Sequence, residues 1–129
     1  SSTGGIMIYG IGCDIVEIKR IRESLDKYGE KFLKRIFTLR ELELAPVNRD
    51  KLIDYLAKRY AAKEAYSKAL KTGIGRTIEF NQIEILNDAN GAPYFNHAHP
   101  LDFPVSTHLS LSDEKEYAVA YVVIEKLDS

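Results

Sequence analysis

Residues 51–70 carry apolar side chains at the spacing of one long α-helix, and a glycine-containing turn at residues 72–75 follows. On a helical wheel of about 3.6 residues per turn, one apolar stripe contains Ile53, Leu56, Ala57, Tyr60 and Ala61. Glu64 falls inside this stripe, and Lys63 lies at its border. The fold must therefore bury one face of this helix and give the Glu64 carboxylate a partner.

The remaining patterns divide the chain into a helical half and a strand half. A buried strand at residues 6–15 ends near Asp14, and two short helices follow at residues 18–28 and 31–37. Thr38 and Glu41 form a capping-box pattern, and Asn90-Gly91 predicts a hairpin turn. Strands are predicted at residues 78–85, from residue 94, at 105–112 and at 117–125, with a loop at 97–104. Together they predict a single α+β domain, in which N-terminal helices, including the long one, pack on an antiparallel sheet.

Composition excludes several classes of protein. The chain has 129 residues, of which 45% are hydrophobic and 29% charged, as in a globular domain. No apolar run approaches the roughly 20 residues of a membrane helix, and no secretory leader is visible. The single cysteine, Cys13, excludes an internal disulfide and a cysteine-based zinc site. We expect a cytoplasmic protein without a membrane partner, whose domain is residues 7–129 and whose residues 1–6 are a non-native remnant before the natural start at Met7.

Charge is unevenly distributed, although the net charge is only −1. Between residues 19 and 40 the basic side chains outnumber the acidic ones: Lys19, Arg20, Arg22, Lys27, Lys31, Lys34, Arg35 and Arg40 against Glu23, Asp26 and Glu30. This segment indicates either an acidic partner or an ordinary solvated helix face. Nucleic acid is disfavoured, because the chain is acidic overall and its polar faces lack interleaved aromatic residues.

Two carboxylates occupy positions where burial is expected. Asp14 ends an apolar strand, and Glu64 interrupts the helical stripe. A shared divalent metal ion would compensate both charges, as Mg²⁺ does at phosphoryl-transfer sites. Lys63 and Lys68 could meet phosphate oxygens, and the glycine turn could let backbone approach a ligand.

Each of these residues also has an ordinary structural interpretation. Asp14 could cap the following helix, and Glu64 could pair with Lys68 one helical turn away. Gly73 and Gly75 could be turn residues, His108 a surface histidine and Cys13 a small core residue. From the residues alone, metal-assisted phosphoryl transfer is the sharpest hypothesis.

Four segments resemble the bacterial holo-acyl-carrier-protein synthases, which are small 4'-phosphopantetheinyl transferases. They are IYGIGCDIVEIKRI, RYAAKEAYSKAL with TGIGR, IEILNDANGAPYF and HLSLSDEKEYAVAYVVIEKL. Their order and spacing agree with the family from Met7 to Leu127.

The resemblance implies a transfer of 4'-phosphopantetheine from coenzyme A to a serine of acyl carrier protein, in fatty acid biosynthesis. It implies that Asp14 and Glu64 bind Mg²⁺, with Mn²⁺ as the alternative ion, and that Asp14, Glu64 and Lys68 are catalytic. The coenzyme A pocket would be lined by Lys63, Lys68, Gly73, Gly75, Arg76, Asn90 and Pro93. Glu64 or a metal-held water would remove the serine proton.

The resemblance also implies partners. Arg20 and Lys31 would bind the acidic carrier protein, and the family forms homotrimers, with the strand at residues 105–112 as the candidate shared surface. Asp113 stands where relatives often have histidine, and His108 is not that histidine, so the roles of both stay open. The rival hypotheses are a non-catalytic module that docks an acidic protein through its basic helices, and a metal-dependent phosphotransferase acting on nucleotides.

Overall fold

The long helix predicted at residues 51–70 is the centre of the fold. In the computed structural model, which describes residues 6–71 and 78–128, this helix is α4 and runs from Arg49 to Ala69. It begins where the Asn48 side chain accepts a hydrogen bond from the Lys51 backbone N–H. It crosses one face of the main sheet, and helix α1 (Ile18–Tyr28) packs on it from another side.

Short-range signals set the ends of the other helices. Helix α1 ends at Gly29, whose φ of 54° is a conformation that favours glycine. Helix α2 (Glu30–Ile36) follows directly, and α3 (Leu39–Glu43) opens with both hydrogen bonds of the predicted Thr38–Glu41 capping box.

The main sheet has three antiparallel strands in the order β1-β5-β4. These strands are β1 (Ile6–Glu17), β4 (Val105–Asp113) and β5 (Tyr117–Leu127). In this register Asp14 lies opposite Ala120, and Ala120 lies opposite Leu111. Alternate β5 residues from Ala118 to Ile124 are fully buried beneath α4, because successive side chains of a strand point to opposite faces of the sheet. The α+β class is confirmed.

The predicted strand at residues 78–85 is wrong for most of its length. A 3₁₀ turn occupies Phe80–Gln82, and only Ile85–Asn87 forms a strand, β2, which pairs with β3 (Pro93–Phe95) across the predicted hairpin. Ile78 and Ile83 are buried, so their apolar spacing reflects burial in the core. The carbonyl oxygens of Phe80 and Ile83 accept hydrogen bonds from the Lys63 ammonium. In a strand, the backbone N–H groups of a neighbouring strand would supply such hydrogen bonds.

Two glycines let β1 lie unusually close to α4. A Cβ on Gly12 would stand 1.8 Å from the Ala65 carbonyl oxygen, and one on Gly10 would stand 1.8 Å from that of Ala69. The alanines of α4 complete this contact, because they add little bulk between helix and strand. The close approach holds the strand end that carries Asp14 against the middle of the helix.

Candidate active site

Asp14 and Glu64 lie side by side at the junction of β1 and α4. Burial, and next the negative charge of Asp14, raise the pKa of the Glu64 carboxyl above its usual range. Asp14 lies inside β1, which continues to Glu17, so the alternative that it caps α1 is wrong. Two neighbouring carboxylates of this kind are stabilised by a cation between them.

Lys68 is the cation nearest to Asp14. Its ammonium donates to Asp14 Oδ1 and to the Cys13 carbonyl oxygen, each at 3.0 Å. The hydrogen bond to Asp14 raises the pKa of Lys68, so the ammonium stays charged. Its side chain is 54% exposed, whereas that of Asp14 is 17% exposed. Lys68 therefore points from solvent toward the carboxylates. Its ion pair is with Asp14 and not with Glu64, the partner that the helical spacing suggested.

Tyr60 and Phe80 form an aromatic wall beside Glu64. Their rings stack with centroids 5.5 Å apart. The Tyr60 hydroxyl and the Lys68 charge lower the pKa of Glu64 and so partly offset its burial. Burial, and next the Glu64 charge, raise the pKa of the Tyr60 phenol, which therefore stays a hydrogen-bond donor. The sequence predicted Tyr60 only as part of a buried stripe, and nothing in the local pattern indicated its contact with Phe80.

A groove of about 1310 Å³ opens beside these residues. It is lined by Asp14 and Glu64 together with the aromatic wall of Tyr60 and Phe80, and its outer wall comes from α1 and α2. That wall combines apolar side chains with basic ones: Tyr28, Phe32 and Ile36 with Arg20, Lys31 and Arg35. The predicted partner-binding residues Arg20 and Lys31 thus share one groove with the predicted metal ligands.

The carboxylate pair suits a hard divalent cation such as Mg²⁺ or Mn²⁺. Among residues 6–71 and 78–128, no cluster of three or more His, Cys, Asp or Glu side chains has the arrangement of a metal site. Such clusters are typical of zinc, whereas Mg²⁺ is commonly held by one or two carboxylates together with waters and substrate phosphates. The raised pKa of Glu64 is consistent with this assignment, because a bound cation would remove the repulsion from Asp14.

Lys63 does not reach the groove. Its side chain is fully buried, and its ammonium lies 2.7 Å from Glu41 Oε1 and 3.0 Å from the Phe80 carbonyl oxygen. Burial lowers the pKa of Lys63 to about 8, and the Glu41 carboxylate opposes this shift. Its position does not support the prediction that Lys63 binds the nucleotide, because the far side of α4 is covered by α3 and the segment around residue 83.

The remaining predicted residues lie apart from the groove or outside the described chain. Gly73, Gly75 and Arg76 belong to residues 72–77, which the structure does not describe. Asn90 and Pro93 lie in the β2–β3 hairpin and are not part of the groove lining. They stay predictions.

Asp113 and His108 are the two residues whose roles the sequence left open. Asp113 pairs with Lys58 of α4 at 3.6 Å, and His108 on β4 pairs with Glu125 of the adjacent strand. Neither lies in the groove lining. Cys13, expected in the core, is exposed on the outer face of the sheet.

Fold and groove together correspond to a known class. The family model of the 4'-phosphopantetheinyl transferase superfamily matches residues 10–122 of this chain. A holo-[acyl-carrier-protein] synthase of Shewanella denitrificans is 50% identical over 125 residues, covering 92% of this chain and 98% of that protein. The chain therefore belongs to the holo-[acyl-carrier-protein] synthases of this superfamily.

Solved structures agree with this assignment. The holo-(acyl-carrier-protein) synthase of Bacillus anthracis, in complex with CoA (3',5'-ADP), is 45% identical with a TM-score of 0.84, over 93% of this chain and 98% of that one. The Helicobacter pylori holo-[acyl-carrier-protein] synthase, in complex with coenzyme A, is 34% identical with a TM-score of 0.78, over 88% of this chain and 98% of that one. The fold and the family predicted from the sequence are both confirmed.

Proposed function

We propose that this chain transfers the 4'-phosphopantetheine group of coenzyme A to a serine hydroxyl of apo acyl carrier protein, releasing adenosine 3',5'-bisphosphate, as a cytoplasmic enzyme of fatty acid biosynthesis. The observation that carries the proposal is the single groove that joins a carboxylate pair to a basic and apolar wall. The family assignment supports acyl carrier protein and coenzyme A as the substrates. Relatives are named for the carrier protein, and two of them are complexed with coenzyme A or its product.

Asp14 and Glu64 are the residues that would hold Mg²⁺, with Mn²⁺ as the alternative. When bound, the ion supplies a Lewis acid that neutralises charge on the pyrophosphate of coenzyme A. Both carboxylates project into the same groove, and the rest of the coordination shell is left to water and phosphate oxygens.

Lys68, which pairs with Asp14 of the groove but does not itself line it, would bind phosphate oxygens. Its side chain is more than half exposed, and its ammonium is held by an ion pair with Asp14 and a hydrogen bond to the Cys13 carbonyl oxygen. Surface ion pairs of this kind are worth only about 1 kcal/mol or less, so Lys68 can turn toward a phosphate at low cost. There it stabilises the negative charge that develops on the departing bisphosphate.

Glu64, or a water held by the metal ion, would take the serine proton. Burial, and next the charge of Asp14, raise the pKa of Glu64, and a bound cation would oppose the second of these effects. The Tyr60 hydroxyl donates a hydrogen bond to the Glu64 carboxylate and so helps to orient it.

The basic and apolar wall is the docking surface for the carrier protein. Arg20 and Lys31 are exposed, and they flank the half-buried ring of Phe32. Basic side chains around an apolar centre suit an acidic helical protein, and they accelerate its diffusional encounter with the groove.

We also propose that the chain forms a homotrimer through the outer face of its main sheet, the face turned away from α4. Ile8, Ile11, Ile15 and Tyr121 are each more than half exposed on β1 and β5, which forms an apolar surface suited to a second copy. The strand predicted for this role was β4. Its outer face carries the polar residues His108, Ser110 and Ser112, so β1 and β5 contribute more of the exposed apolar surface. Light scattering of the purified protein tests this, and a monomeric mass would contradict it.

The test of the function is the mass of the carrier protein after incubation. Apo acyl carrier protein, coenzyme A and Mg²⁺ are mixed with the protein, and the carrier is weighed by mass spectrometry. We expect a gain of one phosphopantetheine group, which chelation of the metal prevents. Carrier binding without any mass gain would instead support the non-catalytic docking module.

A further inference from the structure

The buried ion pair between Glu41 and Lys63 lies outside the groove but contacts its wall. Both side chains are fully buried, and their charged atoms lie 2.7 Å apart. Burying two charges is costly, and apolar residues of similar size often stabilise a fold as well as such a pair does. The contacts of this pair therefore need an explanation beyond stability.

Lys63 holds the segment that carries the aromatic wall. Its ammonium donates to the carbonyl oxygen of Phe80 at 3.0 Å and to that of Ile83. These carbonyls lie at the two ends of the irregular turn that replaces the predicted strand. With its three donors directed at Glu41, Phe80 and Ile83, Lys63 has no remaining donor for a ligand.

Glu41 holds the same segment from its other side. Its Oε2 atom accepts a hydrogen bond from the Ile85 backbone N–H at 2.9 Å, and its Oε1 atom accepts one from the Thr38 N–H. Residues 80–85 are thus attached to α4 through Lys63 and to α3 through Glu41. Helix α3 is too short to be rigid by itself, so Glu41 and Lys63 stabilise each other's position.

The ring of Phe80 transmits this constraint to the carboxylate site. It stacks on Tyr60, whose hydroxyl acts on Glu64. Glu79, the neighbour of Phe80, also lines the groove.

We infer that Lys63 is a positioning residue: its ammonium, held by Glu41, fixes the groove wall formed by Glu79 and Phe80 and so the aromatic support of Glu64. The inference rests on the proposed function for its catalytic consequence. It gives Lys63 a role in coenzyme A binding that is indirect and requires no contact with the ligand. Side chains that orient a binding group in this manner commonly change affinity or activity by roughly 10- to 100-fold.

The test compares Lys63→Met with the double variant Glu41→Gln/Lys63→Met. Lys63→Met leaves the Glu41 charge buried without its cation, so the melting temperature should fall. The double variant removes that charge while keeping an acceptor for the Ile85 N–H, so the melting temperature should recover in large part. Both variants lack the hydrogen bonds from Lys63 to the Phe80 and Ile83 carbonyl oxygens. In both, therefore, the KM for coenzyme A should be roughly tenfold or more above that of the wild type.

Arg59→Met is the matched control. Arg59 is also a buried cation of α4, with 4% exposure, but it donates to Asn87 at 2.7 Å and lies over the Tyr55 ring. Within the described chain its charge acts on Glu41 and Lys63, but it makes no hydrogen bond to Glu79, Phe80 or Ile83. This variant should lose stability without a change in KM.

Amide hydrogen exchange provides a readout that does not depend on catalysis. Exchange in residues 78–85 should accelerate in both Lys63 variants, including the double variant with recovered stability, and should stay unchanged in Arg59→Met. Unchanged local exchange, or a KM that returns to normal together with the melting temperature, would overturn the inference. Failure of the proposed function would be seen separately, as a wild-type protein that leaves the carrier mass unchanged.

Discussion

Single side chains on α4 show how far a helical wheel can predict function. The wheel singled out Glu64 as a misplaced carboxylate, and this residue lies in the groove beside Asp14. The same wheel placed Lys63 at the border of the stripe, whereas it is fully buried. The wheel assumes one buried face, but α4 is covered by the sheet on one side and by α3 and residues 80–85 on another. The partners of Lys63 are distant in sequence, so no local pattern could indicate them.

Charge reversal at Arg20 tests the carrier-docking surface. Arg20 is 81% exposed at its side chain and lines the groove, so Arg20→Glu should weaken carrier binding by removing an attraction and adding a repulsion. The expected loss is about tenfold or more at low salt, with a flatter salt dependence, measured by titration calorimetry.

Lys51→Glu is the control for this charge reversal. Lys51 is exposed at the start of α4, away from the groove lining, and a carboxylate suits a helix N-terminus. Equal losses of carrier affinity in both variants would mean that only net charge matters, and an unchanged affinity in Arg20→Glu would make the basic segment an ordinary solvated surface.

Element ends were well predicted where they depend on neighbouring residues, as in the Thr38–Glu41 capping box and the Asn90-Gly91 turn. The Asp88 side chain supports that turn by accepting hydrogen bonds from the N–H groups of Asn90 and Ala92. The irregular turn at Phe80–Gln82 was missed, although the local pair Glu79 and Gln82 caps it as a capping box. Lys63, far away in sequence, adds hydrogen bonds to the carbonyl oxygens of Phe80 and Ile83. Contacts of this range also decide the packing of β1 against α4.

Gly12→Ala tests that packing. The added methyl group would stand 1.8 Å from the Ala65 carbonyl oxygen, and backbone atoms cannot rotate away from it. We expect a loss of roughly 3 kcal/mol or more in the free energy of unfolding, measured by urea denaturation. The control Gly91→Ala meets no atom within 4 Å and should lose only about 1 kcal/mol, from its positive φ of 85°. Equal losses would show that β1 and α4 are not in close contact.

His97 makes the small β2–β3 sheet sensitive to acid. Burial lowers the pKa of His97 to about 4, and its Nδ1 atom accepts a hydrogen bond from the Glu84 backbone N–H. The imidazole is neutral in the folded state, whereas the unfolded chain binds a proton below its usual pKa of about 6.5. Stability is therefore retained above that pH and is lost as the pH falls from about 6.5 toward 4, by at most about 3 kcal/mol.

Urea denaturation at neutral and acidic pH measures this effect. His97→Gln removes the titrating group, so the difference in stability between pH 7 and pH 5 should shrink. A pH dependence identical to that of the wild type would assign the acid sensitivity to other groups.

At the scale of the whole molecule, the fold brings together two carboxylates and a basic wall that lie in different elements. The α+β class followed from the order of helices and strands, and the family from segments spread over nearly the full chain. The pairing of Asp14 with Glu64 was a hypothesis from their expected burial, and the family resemblance implied it as well. Its physical basis is the close approach of β1 and α4 at Gly12, which no local pattern indicates. Asn90 and Pro93 lie outside the groove lining, and their role in coenzyme A binding stays a prediction.

The most direct measurement is the binding of Mn²⁺ in the presence of coenzyme A, followed by electron paramagnetic resonance. We predict one tight site in the wild type, with affinity at least about tenfold lower in both Asp14→Asn and Glu64→Gln. Asp54→Asn, a carboxylate change on the same helix outside the groove lining, should bind as the wild type does. Wild-type affinity in Glu64→Gln, together with undiminished transfer to the carrier protein, would contradict the assignment of Asp14 and Glu64 as the metal site.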